Sequence, residues 1–179
     1  MNINVEARIQ GHYCFKYKQG ESLAKTLIAE KPNDIHSLNS VKLGINRSDV
    51  KAVYYAVIYG AAAAKIAKML NLNKKESGEL ITNFWNAMPA LKELKEKVEA
   101  FWETTGKKYI IGLDNRKIFT RSKHSLLNSL FQSAGVICTK YTNIYMFDEF
   151  EKMGYCINPF KGRPDICEMI AYHDRFCRE

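Results

Sequence analysis

Between Arg47 and Gly60 the chain reads RSDVKAVYYAVIYG, and no other stretch constrains the fold as strongly. Arg47, Lys51 and Tyr55 follow one another at intervals of four, so at about 100° per residue they share one narrow face of an α-helix. Val50, Val53, Tyr54, Val57 and Ile58 lie between them and can bury the rest of the circumference. Asn46 or Ser48 can cap the start by accepting a hydrogen bond from a first-turn backbone N–H. A face of two cations and a phenol suits a nucleoside triphosphate, because ammonium and guanidinium groups pair with phosphate oxygens and a ring stacks on sugar or base. Taken alone, the spacing is better explained by an amphipathic surface helix with solvated lysines, the commoner case.

The rest of the chain has the material for one ordinary domain around such a helix: 179 residues, 46% of them hydrophobic. Lys and Arg number 27 against 19 Asp and Glu, a formal charge of +8. That balance favours a polyanionic partner such as nucleic acid, although basic proteins without one are common. The N-terminal run MNINVEARIQGHY has no apolar core of a signal peptide, and the longest apolar run, 52–64, is too short to span a bilayer. The expectation is a soluble, cytoplasmic protein with no membrane partner. The five cysteines, at 14, 138, 156, 167 and 177, form no CxxC pair and no ligand-spaced set with histidines, which argues against structural zinc and for reduced thiols.

Read in order, the sequence predicts an α+β chain that is predominantly helical. Residues 5–17 have irregular helical spacing, and a short helix follows over 21–29 before Pro32 breaks the chain. Asp34 can cap a helix running to about Leu43, with Gly44 as its stop, and this places His36 in the first turn. After the opening stretch, AAAAKIAKML extends or restarts the helix to Leu70, and LNLNKKE reads as a polar connection. Helices are expected over 76–88 and 89–104, Pro89 being acceptable at a first helical position. The alternating Lys and Glu of the second read as a solvated face. KKYIIG and RKIFTR, separated by Leu113, Asp114 and Asn115, predict a β-hairpin. Helical spacing returns over 125–152, ended by Gly154, and short strands are expected at 155–157 and 166–172.

Three further groups carry possible chemistry. Asp174 follows the apolar run ICEMIAY and so falls at a strand end or turn, where a carboxylate can meet Mg²⁺ or simply cap the turn. Asn128 and Gln132 share a helix face, from which their amides can reach base edges in a minor groove or satisfy backbone groups in a core. Arg116, Lys117, Arg121, Lys123 and His124 gather around the hairpin and the start of the long helix, and suit either a phosphate backbone or solvent.

Together these features resemble the family A DNA polymerases, most of all their phage replicative branch. RSDVKAVYYAVIYG is similar to the fingers-helix pattern Arg-x3-Lys-x3-Tyr/Phe-Gly-x2-Tyr-Gly, with Ala56 in place of the first Gly. EARIQGHY resembles the Glu-x-Arg-x2-Ala-His segment that follows the first catalytic aspartate. GLDNRKIFTRSKHSLLNSLFQSAG resembles the segment that holds the primer-template minor groove, and AYHDR the His-Asp-Glu motif of the palm. Order and approximate spacing also agree, over essentially the whole chain.

The resemblance implies a palm-edge segment at 1–17, fingers with the hairpin at 18–123 and part of a palm at 124–179. It implies that Arg47, Lys51 and His36 hold the triphosphate of a dNTP, Lys51 also serving catalysis. Tyr55 would stack near the incoming sugar and base, and Glu6 would reject a 2′-hydroxyl. Arg121, Asn128 and Gln132 would contact the primer-template, with Arg116 and His173 beside it, and Asp174 would ligate metal. The implied chemistry is attack of a primer 3′-hydroxyl on an α-phosphate, assisted by two Mg²⁺ ions.

The departures limit that reading. Counted back from Glu6, the first catalytic aspartate falls at Met1, and Arg175 replaces the acid after Asp174, placing a cation beside the expected metals. The chain also stops five residues after Asp174, without a thumb. The expectation is therefore a fragment or split subunit of a DNA-directed DNA polymerase, inactive alone. Its partner would be a second fragment carrying the thumb and the missing aspartate. The alternative is a non-catalytic nucleic-acid-binding remnant or accessory protein.

Overall fold

The structure is a computed structural model that describes residues 5–31 and 33–154. Pro32, Met1, the strands expected at 155–157 and 166–172, His173, Asp174 and Arg175 lie outside the described residues. The order of elements is α1 (Val5–Cys14), α2 (Gly20–Ile28), α3 (Ile35–Leu43), α4 (Arg47–Ile58), α5 (Ala63–Leu70), α6 (Lys74–Ala87) and α7 (Pro89–Thr104), then β1 (Tyr109–Ile111), β2 (Lys117–Phe119), a 3₁₀ turn (Lys123–Ser125) and α8 (Leu126–Lys152). The described residues are thus mostly helical, with one small antiparallel sheet.

Helix α4 forms where the spacing requires it. Asn46 is the cap, its side-chain oxygen accepting from the Asp49 N–H at 2.9 Å. Val50, Val53, Tyr54, Val57 and Ile58 are all buried, and each such aliphatic side chain contributes about 2 kcal/mol relative to exposure. The choice between continuation and restart after α4 is settled by Gly60, whose φ of 78° ends the helix. The Gly60 N–H donates to the Val57 carbonyl at 3.1 Å and the Ala61 N–H to the Ala56 carbonyl at 2.8 Å, the paired bonds that satisfy a helix end turning left-handed. The chain then restarts as α5.

The other differences from expectation have local causes. Helix α6 begins at Lys74, inside the run that reads as a connection, because Asn73 and Glu76 cap it reciprocally: the Asn73 side chain accepts from the Glu76 N–H at 2.8 Å, and Glu76 from the Asn73 N–H at 2.9 Å. Helix α2 begins at Gly20, which lies so close to the end of α1 that an added Cβ would sit 1.9 Å from the Cys14 carbonyl oxygen. In the hairpin Tyr109 pairs with Phe119, Ile110 with Ile118 and Ile111 with Lys117. Its turn places Asn115 at φ 63°, a conformation Asn tolerates better than most residues.

The chain divides into two compact units, Met1–Ile137 and Cys138–Glu179, and the division falls within α8. In the first unit α1 packs on α2, α3 on α4 and α6, and α7 on α1, α2, α6 and β1. Phe84, Ile66, Val50, Val53 and Ala134 have no exposed surface. Tyr54 lies edge-on to Phe84 at 5.8 Å between centroids, and its hydroxyl donates to the buried Gln10 side-chain oxygen. In the second unit the described residues continue α8 to Lys152, where Thr142 donates to the Cys138 carbonyl at 2.9 Å and Lys152 pairs with Glu149 at 2.6 Å. No helix among the described residues is long and apolar enough to cross a membrane.

Candidate nucleotide and nucleic-acid interface

The corner between α3 and α4 brings together four of the residues expected at a dNTP: His36, Arg47, Lys51 and Tyr55. Asp34 caps α3, its Oδ1 accepting from the Ser37 N–H at 2.7 Å. Its carboxylate also receives the Arg47 guanidinium: Nη2 donates to Oδ2, and Nε lies 3.4 Å from Oδ1 and 3.3 Å from the Ser37 hydroxyl. Asp34 was legible in the sequence only as a cap, so its contact with Arg47 is a group the spacing missed. Burial works to raise the Asp34 carboxyl, but the hydrogen bonds from Arg47 and Ser37 and the Arg47 charge outweigh it and hold the group well below the usual carboxylate range.

His36, in the first turn of α3, lies 5.2 Å edge-on from the Tyr54 ring and 6.0 Å from the Tyr55 ring. Tyr55 in turn lies 6.0 Å from Tyr59. The His36 Nδ1 is shielded from solvent and has no hydrogen-bond partner among the described residues. Burial lowers the His36 pKa; the nearby Asp34 charge opposes this, and the Arg47 and Lys51 charges reinforce it. Lys51 is exposed and, among the described residues, has no ion pair. The corner therefore holds a neutral imidazole, a free ammonium, a guanidinium shared with a carboxylate, and a row of three tyrosines. Ammonium and guanidinium donors with an aromatic edge beside them are groups that can pair with a polyphosphate.

The basic patch near the hairpin is less available than its sequence implies. Arg116 pairs with Asp114 at 2.5 Å, and Lys117 lies over the Tyr109 ring at 4.8 Å from its centroid. Lys123 reaches Glu99 at 3.2 Å and Glu103 at 3.5 Å. Part of the α7 charge pattern, read as a solvated face, thus serves a tertiary contact. Arg121 is exposed and has no ion pair among the described residues. On the first turns of α8, Asn128 is half-buried and Gln132 exposed, leaving both amides able to reach a ligand. Glu6 lies within α1. No group of three or more His, Cys, Asp and Glu side chains converges among the described residues, so these residues alone do not supply the carboxylate set a pair of Mg²⁺ ions requires.

No protein-family model matches the chain. Over 149 residues it is 31% identical to the DNA-directed DNA polymerase of Escherichia phage T7, and equally to that of Enterobacteria phage T3, covering 76% of this chain and 21% of each relative. Its fold is similar to the POL domain of Pol1 from M. smegmatis, solved in complex with a DNA primer-template and dNTP, with a TM-score of 0.67 at 17% identity over 84% of this chain and 29% of that one. The comparisons therefore relate this chain to a segment of DNA polymerases. The chain is a homologue of the phage enzymes across a segment about a fifth of their length, and the family A resemblance of its motifs is borne out.

Proposed function

We propose that this chain is the fingers-bearing part of a template-directed DNA polymerase, binding the triphosphate of an incoming dNTP at the α3–α4 corner and primer-template DNA along the start of α8. The observation that carries the reading is the convergence of His36, Arg47, Lys51 and Tyr55, drawn from two helices, on one solvent-accessible corner. Residues 18–123 form the fingers in this reading and 124–179 part of the palm. Arg121, Asn128 and Gln132 face the DNA, with Arg116 contributing once Asp114 releases it. Lys51 supplies positive charge to the departing pyrophosphate, a role that electrostatic preorganisation suits. Glu6 and Tyr55 border the sugar.

Divalent metal belongs to the same reading. Two Mg²⁺ ions would activate the primer hydroxyl and neutralise the leaving group, with Asp174 as the ligand this chain offers. The chain spans about a fifth of the length of its curated relatives. Thumb and further carboxylates come, in this proposal, from another polymerase segment, working in a host cytoplasm. Primer extension tests it: the purified chain with Mg²⁺ gives no extension, and adding a segment that carries the thumb and a first catalytic aspartate restores it. Robust incorporation by this chain alone would refute the division of labour.

A further inference from the structure

We propose that Asp34 is a positioning residue that acts as an internal stand-in for phosphate: it occupies Arg47 while the corner is empty, so a polyphosphate binds by exchanging with the carboxylate. This rests on the nucleotide-binding reading of the corner. Its independent basis is the geometry of the pair. The Nε and Nη2 edge of Arg47 is the edge that grips an oxyanion in two-point fashion, and here Asp34 and Ser37 take that edge. Lys51, four residues on along the same helix face, has no such partner among the described residues.

The two cations therefore play unequal parts. Lys51 offers its charge to a ligand at once. Arg47 does so only after leaving a carboxylate that is held on α3 by its own cap bond to Ser37 and cannot follow. Without Asp34 the corner would gain one net positive charge and lose its internal competitor. The loss need not unfold α3, because Asn caps a helix as well as Asp and keeps the oxygen that accepts from Ser37.

The test uses the full chain and inorganic tripolyphosphate, titrated by calorimetry, with the Arg47 Nε–H followed by NMR. Asp34→Asn is expected to tighten binding roughly fivefold, the scale of releasing one partly exposed ion pair. That gain disappears when Arg47→Ala is present as well. In the parent chain the Arg47 Nε–H signal moves on saturation. If Asp34→Asn leaves affinity unchanged or weakens it, while Arg47→Ala still weakens binding, the exchange is refuted and the nucleotide site stands. If neither Arg47→Ala nor Lys51→Ala alters binding and the Nε–H signal does not respond, both the exchange and the nucleotide site are refuted.

Discussion

Gly60 lies directly beneath the backbone of His124: a Cβ added to Gly60 would sit 2.1 Å from the His124 carbonyl oxygen. The end of α4 is thereby pressed against the turn that begins α8, the element that carries Asn128 and Gln132. Both φ, at 78°, and the contact disfavour any side chain at this position. Gly60→Ala should cost about 2–4 kcal/mol from left-handed strain plus overpacking, read as a fall in urea midpoint at constant m-value. Gly78, inside α6 with nothing within 4 Å of an added Cβ, should behave oppositely, Gly78→Ala adding about 0.5–1 kcal/mol.

Tyr54 and Phe84 hold the back of the same helix. Phe84 has no exposed surface and meets Tyr54 edge-on. Phe84→Ala should cost about 3–5 kcal/mol. Because the cavity opens beneath the α3–α4 corner, where Tyr54 meets His36, His36 should lose order with it, seen as a narrowed spread of its ring proton shifts. A full loss of stability with unchanged His36 shifts would show that the corner is supported from elsewhere.

Protonation of His36 should weaken the fold. Its pKa lies below the ordinary value of 6.5, so the unfolded chain takes up a proton first as pH falls. Stability is then complete above the ordinary histidine range and declines as pH drops through it, levelling off below the folded value. Asp34 adds nothing to that slope, since its folded pKa is depressed and its contribution is lost only in stronger acid. Urea midpoints at about pH 7.5 and pH 5.5 should therefore differ for the parent chain and differ less for His36→Gln.

Much of this corner was legible in order along the chain and little of it across the chain. The buried face of α4, its Asn46 cap and the extent of α7 follow from periodicity and capping chemistry, which act within a few residues. The Asp34–Arg47 contact does not, because the partners stand 13 residues apart and meet only once α3 and α4 turn the corner. For the same reason Glu99 and Lys123, on α7 and beyond the hairpin, read as solvated charges until the fold places them 3.2 Å apart. The start of α6 was readable in Asn73 and Glu76 but masked by the polarity of the run around them.

Arg121 should act as a phosphate contact. Arg121→Ala is expected to weaken primer-template binding to a similar degree across sequences and to reduce the slope of log affinity against log salt by about one. Asn128→Ala and Gln132→Ala should weaken binding with little change in that slope, since a neutral amide releases no counterion. Fluorescence anisotropy of a labelled primer-template over a salt series separates the two behaviours.

The most direct measurement is the affinity of the full chain for a dNTP, determined in parallel for Arg47→Ala and Lys51→Ala. Each substitution removes a charge-assisted contact and should weaken binding by roughly tenfold or more, with far-UV circular dichroism unchanged. Binding by both variants at the parent affinity would contradict the assignment of the α3–α4 corner to the triphosphate.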